Sequence, residues 1–299
     1  MSKKKKGPWS TPVRSKFKTR ANQLGLQVFR VMGFELKYRL RRLFLSPRSE
    51  KSNYTKDFER DGYIVIPDFL SPEDYARLKD HYYERLKDLE KPTNEGPKLV
   101  APPLCDPKDG TVDPLIEELF VKNNTINEVV ENASAHRQHL LPLIRMHHYW
   151  AEESDLGLRE TARTDELHYD VPLRNFRAFF YLEDCDKSNA AFEFAPGTHK
   201  FNMKRLYMEY RDSIVQARAR QGKPHVKVQP IQDNLLKLLD AKPIPLEAPG
   251  NSLIIFNTMG LHRRGRFSHA GTREALLLDF RFLDAPANYK AYGPPLKWF

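Results

Sequence analysis

"ELHYDVPL" (residues 166–173) alternates in the manner of a β-strand. Residues i and i+2 of a strand face the same way, so His168 and Asp170 share one side and Tyr169 takes the other. An imidazole and a carboxylate on one face are two members of a facial metal triad. A second imidazole from elsewhere in the chain would complete it and leave coordination positions open on an Fe(II). An H-x-D triplet alone is common, and an exposed pair of this kind is usually solvated. Its meaning depends on the rest of the chain.

The stretch "GNSLIIFNTMGLHRRGRFSHAGTREALLLDFRF" (250–282) supplies the missing member. Gly250-Asn251 signals a turn, and Ser252 to Asn257 is an apolar run of strand length. His262 follows. Gly271-Thr272 marks another turn, and Arg273 opens the strand "REALLLDFRF" eleven residues after His262. A guanidinium matches a carboxylate through two parallel hydrogen bonds. His168, Asp170 and His262 are therefore the candidate metal ligands, and Arg273 is the candidate anchor for a carboxylate of a co-substrate.

With these elements in place, the chain resembles the phytanoyl-CoA dioxygenase family of iron(II)/2-oxoglutarate oxygenases. Four segments carry the resemblance: "DGYIVIPDFLSPEDYARLKDHY" (61–82), "LHYDVPL" (167–173), "AFEFAPGTHK" (191–200) and "HRRGRFSHAGTREALLLDFR" (262–281). The third looks like the family's P-G-S-H-K turn, with Thr198 in the serine position. The likeness runs from about Tyr54 to the C-terminus, and it is specific only in the combination and order of its parts. It implies Fe(II), 2-oxoglutarate and O2 as cofactors, with ascorbate as an optional reductant. It implies decarboxylation of 2-oxoglutarate to succinate, coupled to hydroxylation of a C–H bond. Related halogenases lack the carboxylate ligand, so the retained Asp170 points to hydroxylation. Two other readings stay open: a cupin-type metalloenzyme that does not use 2-oxoglutarate, and a non-catalytic metal-binding member.

The order of elements predicts a mainly β domain with flanking helices (α+β), a double-stranded β-helix of the jelly-roll or cupin-like kind with the metal at its mouth. Gly62 precedes a strand, Tyr63 to Ile66. Ser71-Pro72-Glu73-Asp74 starts a helix with Ser71 as its N-cap. Asp113-Pro114 starts a second, expected to run to about Val130. "LLPLIRMHHYW" reads as a buried strand, and Pro196-Gly197 as a type II turn. Lys204 to Ala219 reads as a charged helical insert, expected over the barrel mouth.

The adjacent His147 and His148 must point to opposite sides of their strand. Either could meet the co-substrate or substrate, and His148 is the one assigned to the co-substrate. Arg263, Arg264 and Arg266 crowd the distal ligand, while Arg174 and Arg177 follow the proximal strand. A charge run is usually a solvated face, but these runs abut candidate ligands. They are expected to rim the pocket and favour an anionic or lipid-linked small molecule, with Arg174 and Arg264 as the substrate candidates. His199 reads as structural. His81, His136, His139, His225 and His269 read as surface residues.

The chain has 299 residues, is 40% hydrophobic, and carries a net charge of +10. It divides into a basic extension (1–50) and a catalytic domain (54–299). No acidic residue precedes Glu35, whereas Lys3 to Lys6, Arg14, Lys16, Lys18, Arg20 and Arg30 do. From Leu24 to Phe44 the pattern is helical: Phe29, Met32, Leu36, Leu40 and Leu43 recur at three- and four-residue steps, with Arg30, Lys37 and Arg41 on another face. This is either a basic helix packed on the domain or an amphipathic helix at an anionic membrane surface. A transit peptide is similar in composition. A nucleic-acid arm is disfavoured, because no base-reading module follows. No apolar run approaches membrane-spanning length, and Lys3 to Lys6 are not followed by a signal-peptide core. The two cysteines, Cys105 and Cys185, without CxxC spacing, suit a reducing compartment, and the expected location is cytoplasmic with peripheral membrane contact through the basic helix. The ending "LKWF" is not of the peroxisomal S-K-L type.

Overall fold

The structure is a computed structural model that describes residues 24–45, 53–89, 98–107, 110–135, 142–156, 166–170, 175–219, 231 and 233–280. It is a jelly roll, mainly β with flanking helices. The strands are β1 (Tyr63–Ile66), β2 (Lys98–Val100), β3 (Pro103–Asp106), β4 (Thr111–Val112), β5 (Leu143–Ala151), β6 (Phe176–Tyr181), β7 (Glu193–Phe194), β8 (Ile244–Pro245), β9 (Ser252–Asn257), β10 (His262–Arg263) and β11 (Gly271–Phe280). The larger sheet runs β1-β9-β6-β11-β5-β3-β4, with β2 also on β5. The smaller runs β10-β7-β8, and every pairing is antiparallel. Strand β9, between β1 and β6, is buried along its whole length, which explains why its sequence is a continuous apolar run rather than an alternation.

Register divides the large sheet into two faces. Arg273 pairs with Tyr149, Ala275 with His147 and Tyr181, and Leu277 with Phe179. Directly opposed residues share a face, so this set looks one way, toward the small sheet. There Phe179 and Phe256 pack with Phe192 and Phe194. The intervening residues, including Phe180, Ile255, Leu276 and Leu278, look the other way into the main core. That core is closed by α2 (Asn53–Asp61), α3 (Pro72–Lys87) and α4 (Asn124–Ser134). Phe180 is fully buried. Truncating it to alanine would cost about 3–5 kcal/mol, because the rigid surroundings leave a cavity.

Local chemistry accounts for the helix boundaries. The Ser71 side chain accepts from Asp74 N (3.1 Å) with Pro72 in the first turn of α3. The single helix expected from Pro114 to Val130 is instead broken. One turn (Pro114–Ile116) passes into a π-helical turn (Glu117–Val121), and α4 begins afresh. Asn123 causes the restart: its Oδ1 accepts from Ile126 N (3.2 Å), a cap that competes with helix continuation.

The extension helix is α1 (Gln27–Leu45), and it packs on α5 (Met203–Ala219). Its inward residues are Val31, Glu35 and Tyr38. Arg42 adds an ion pair to Glu59 of α2 at 2.7 Å. The stripe read from the sequence, Phe29 to Leu43, faces outward instead. Among the described residues no helix is long and apolar enough to cross a membrane.

Candidate metal and co-substrate site

Backbone pairing builds the site. His168 N donates to His262 O (3.0 Å), and His262 N donates to His168 O (2.9 Å). This isolated antiparallel bridge joins two segments far apart in sequence. Asp170 N donates to Thr258 O (3.1 Å), which fixes the other end of the H-x-D segment. The strand alternation expected there holds. His168 and Asp170 turn toward His262, while the Tyr169 hydroxyl turns away and donates to Glu209 (3.0 Å) and Asp212 (2.8 Å) of α5. The insert helix α5 therefore braces the back of the ligand segment.

His168 Nε2 lies 3.9 Å from Asp170 Oδ1, and His262 Nε2 lies 3.8 Å from Asp170 Oδ2. One donor atom from each residue lies within 4.8 Å of the others, close enough to converge on one ion. The Nδ1 of His168 meets Glu166 O at 2.8 Å, and that of His262 meets Gly260 O at 2.9 Å. Each carbonyl can only accept, so each Nδ1 carries the proton and each Nε2 presents its lone pair inward. Burial, helped by neighbouring His168 and Arg177, holds the His262 imidazole down to about 4, against the opposing pull of Asp170 and the Gly260 carbonyl. His262 is thus neutral near pH 7, the form that ligates. Asp170 Oδ2 is buried without a hydrogen-bond partner among the described residues. Arg177 Nη1 lies 2.7 Å from it as an ion pair.

Aromatic rings separate this triad from Arg273. Phe192 and Phe256 each lie 5.5 Å from the His262 ring, and Phe179 lies 5.3 Å from Phe192. The Arg273 guanidinium sits over Phe179 (5.5 Å) and Tyr149 (5.2 Å). Arg273 is 3% exposed. One of its nitrogens donates to Ala190 O, and its Nε has no partner. Among the described residues no carboxylate pairs with it. A buried cation in that state is costly until an anion joins it.

The assignment of His148 is corrected by the register. His148 pairs with Glu274, on the face opposite to Arg273. Its Nδ1 is 2.7 Å from Glu274 Oε1, and Tyr82 donates to the same carboxylate at 2.8 Å. His147 shares the Arg273 face, with its ring 5.5 Å from Phe179 and its Nδ1 unpaired. Burial first, then Arg273 and Arg264, push His147 well below the usual histidine range, so it is neutral. Adjacent histidines must diverge on a strand, and only the partner register decides which points inward.

Arg264 lies over Tyr149 at 4.7 Å, on the same side as Arg273. Arg174 lies outside the described residues. Arg263 turns aside to pair with Glu193 at 2.7 Å, and Arg177 is no rim residue but the neighbour of a ligand. Its signal lay in "FRAFFY": a charge alternating with Phe179 in a buried strand must find a partner. Phe192 was missed because an aromatic beside a turn reads as core. In the P-G-T-H-K turn, Gly197 has φ +75 and Thr198 Oγ1 accepts from Leu261 N at 2.8 Å, which positions the residue before His262. The His199 Nε2 meets Glu59 O at 3.3 Å. His81, expected to be a plain surface residue, lies 2.8 Å from the buried carboxylate of Asp113.

A facial two-histidine, one-carboxylate constellation inside a jelly roll defines a mononuclear non-heme metal oxygenase site. The phytanoyl-CoA dioxygenase (PhyH) family matches residues 58–266, and the chain belongs to that family. Its cofactors, Fe(II) and 2-oxoglutarate, fit the residues present: three inward donor atoms close enough to share one ion, and a buried guanidinium with no carboxylate partner among the described residues. No curated protein sequence matches the chain at a significant level. Among solved structures, apo EctD from S. alaskensis is similar, with TM-score 0.51 and 13% identity over 79% of this chain and 81% of that one. EvdMO1 aligns with TM-score 0.50 and 14% identity, over 79% of this chain and 51% of its own. HygX from Streptomyces hygroscopicus, solved with nickel and 2-oxoglutarate, aligns with TM-score 0.49 and 16% identity, over 79% and 88%. At these identities the likeness is one of fold.

Proposed function

We propose that the chain is an Fe(II)- and 2-oxoglutarate-dependent dioxygenase that hydroxylates a C–H bond of a small, anionic or lipid-linked organic substrate. His168, Asp170 and His262 hold the metal, which supplies oxygen activation when bound. The observation that carries the co-substrate is Arg273: a buried guanidinium with an unpaired Nε and no carboxylate partner among the described residues. It receives the distal carboxylate of 2-oxoglutarate. His147, neutral and inward, lines the same side. Phe179, Phe192 and Phe256 keep water from the space between Arg273 and the ligands. Asp170 as a carboxylate ligand supports hydroxylation, because it fills the position halide takes in halogenases. Arg264, and Arg174 by its place in the sequence, support an anionic substrate.

The test is anaerobic Fe(II) titration followed by O2-dependent turnover of 2-oxoglutarate, with metabolite extracts as the source of substrate. Succinate formed in step with a hydroxylated product is the expected result. Iron binding without succinate would point to a cupin metalloenzyme of another kind or to a non-catalytic member.

We further infer the division into an extension (1–50) and a catalytic domain (54–299). We place the enzyme in the cytoplasm, held peripherally at an anionic membrane. Two cysteines, Cys105 and Cys185, both buried and without CxxC spacing, support the reducing compartment, and the outward stripe of α1 supports the membrane contact.

A further inference from the structure

Helix α1 has two apolar faces, and the domain uses only one. Val31 and Tyr38 are buried against the protein. On the far side Phe29 is 65% exposed, Leu36 59% and Leu43 77%, with Met32 and Leu40 between them. Such a stripe on a soluble helix would ordinarily be polar. Arg30 and Lys37 flank it along one edge and Arg39 along the other, all exposed. That is the cross-section of a helix lying in a membrane interface: apolar toward the acyl chains, cationic at the headgroups.

The neighbouring helix repeats the pattern. Met203, Tyr207 and Tyr210 recur at four- and three-residue steps on the solvent side of α5, and Met203 is 78% exposed. Lys204 and Arg211 flank them, exposed. The two stripes meet at Gly25, whose φ is +73 and which lies so close to the Tyr210 ring that a Cβ would collide with it. Leu24 and Leu26, beside that glycine, are exposed. These exposed apolar residues lie side by side on two packed helices, whereas exposed apolar residues on a soluble protein are usually scattered singly.

We propose that the combined outer face of α1 and α5 is a docking surface for an anionic lipid bilayer. Charge complementarity selects this occupant: each stripe carries its own basic flank, and the acid-free sequence before Glu35 adds Lys3 to Lys6, Arg14, Lys16, Lys18 and Arg20. The inner face of α5 holds Tyr169, so the bilayer seats on the helix that braces the ligand segment. This deepens the peripheral placement inferred above by adding α5 to α1, and it is independent of the oxygenase chemistry.

The test is co-sedimentation of the full chain with phosphatidylcholine vesicles, with and without phosphatidylglycerol. Three variants join the wild type: Phe29→Ser with Leu36→Ser, Met203→Ser with Tyr207→Ser, and all four together. All four positions are exposed, so unchanged circular dichroism and Tm confirm the fold. Binding is expected only with phosphatidylglycerol, weakened by salt, and reduced about tenfold by either pair. Loss with the α1 pair but not the α5 pair overturns the joint surface and leaves peripheral attachment by α1 standing. No wild-type binding overturns both. Self-association in ultracentrifugation that the same substitutions dissolve, without vesicle binding, also overturns the proposal, because the occupant is then a second copy.

Discussion

Arg177 holds its Nη1 2.7 Å from Oδ2 of Asp170, a candidate metal ligand, and its Nε 3.4 Å from Asp279 Oδ1. One guanidinium thus offsets two carboxylates, one of them a ligand. Arg177→Met would remove the cation these two acids share. The partly open setting reduces the penalty to about 1–3 kcal/mol. The apoprotein Tm is expected to fall, and added Fe(II) is expected to restore more of the loss than it adds to the wild type, because the ion takes over the charge of Asp170. Differential scanning calorimetry with and without Fe(II) checks this. An equal metal increment in both proteins would rule the role out.

Arg273 is expected to govern 2-oxoglutarate and not the metal. Arg273→Ala should raise the 2-oxoglutarate requirement about 10–100-fold, the range for losing charge-assisted hydrogen bonds. Fe(II) affinity should hold. Arg273→Lys should recover only part, since an ammonium cannot form two parallel bonds. Succinate assays against 2-oxoglutarate concentration read both.

Tyr169 connects the ligand segment to α5. Tyr169→Phe removes the donor shared by Glu209 and Asp212, both buried. Arg205 still pairs Glu209 at 2.7 Å. Destabilisation of about 1–3 kcal/mol is expected from urea unfolding, the range for losing a buried hydrogen bond to charged acceptors. The electron paramagnetic resonance spectrum of the Fe(II)–nitric oxide adduct should broaden as the ligand segment loosens. A stability loss with an unchanged spectrum would limit Tyr169 to a structural role.

The His262 imidazole sits at about 4 in the folded chain against an ordinary 6.5. Between those values the unfolded chain binds more protons than the folded one, so stability rises with pH. The contribution is complete above pH 6.5 and is lost as pH falls toward 4, by about 3 kcal/mol at most. His147, also held low by burial, adds in the same direction. Urea unfolding of the apoprotein across this window should show the slope. His262→Gln should flatten it, and an equal slope in that variant would reject the assignment.

The sequence alone determined the elements that depend on local chemistry. Alternation in "ELHYDVPL" put His168 and Asp170 on one side, because extended backbone turns every second side chain the same way, and the structure keeps that alternation at an isolated bridge rather than a full strand. The Ser71 cap, the Pro196-Gly197 turn and the unbroken apolar run of β9 follow from backbone geometry and burial within a few residues. Where a residue's role depends on its partner, only the tertiary structure decided it. The register of β5 against β11 sent His147 inward and His148 outward. Packing of α1 on α5 turned the stripe from Phe29 to Leu43 toward solvent, a choice that periodicity alone left open. Arg177 found Asp170, and Tyr169 found Glu209 and Asp212, across strand and helix pairings that no local pattern encodes. A side chain's direction is set by its own backbone, but what it meets is set by residues brought from elsewhere in the chain.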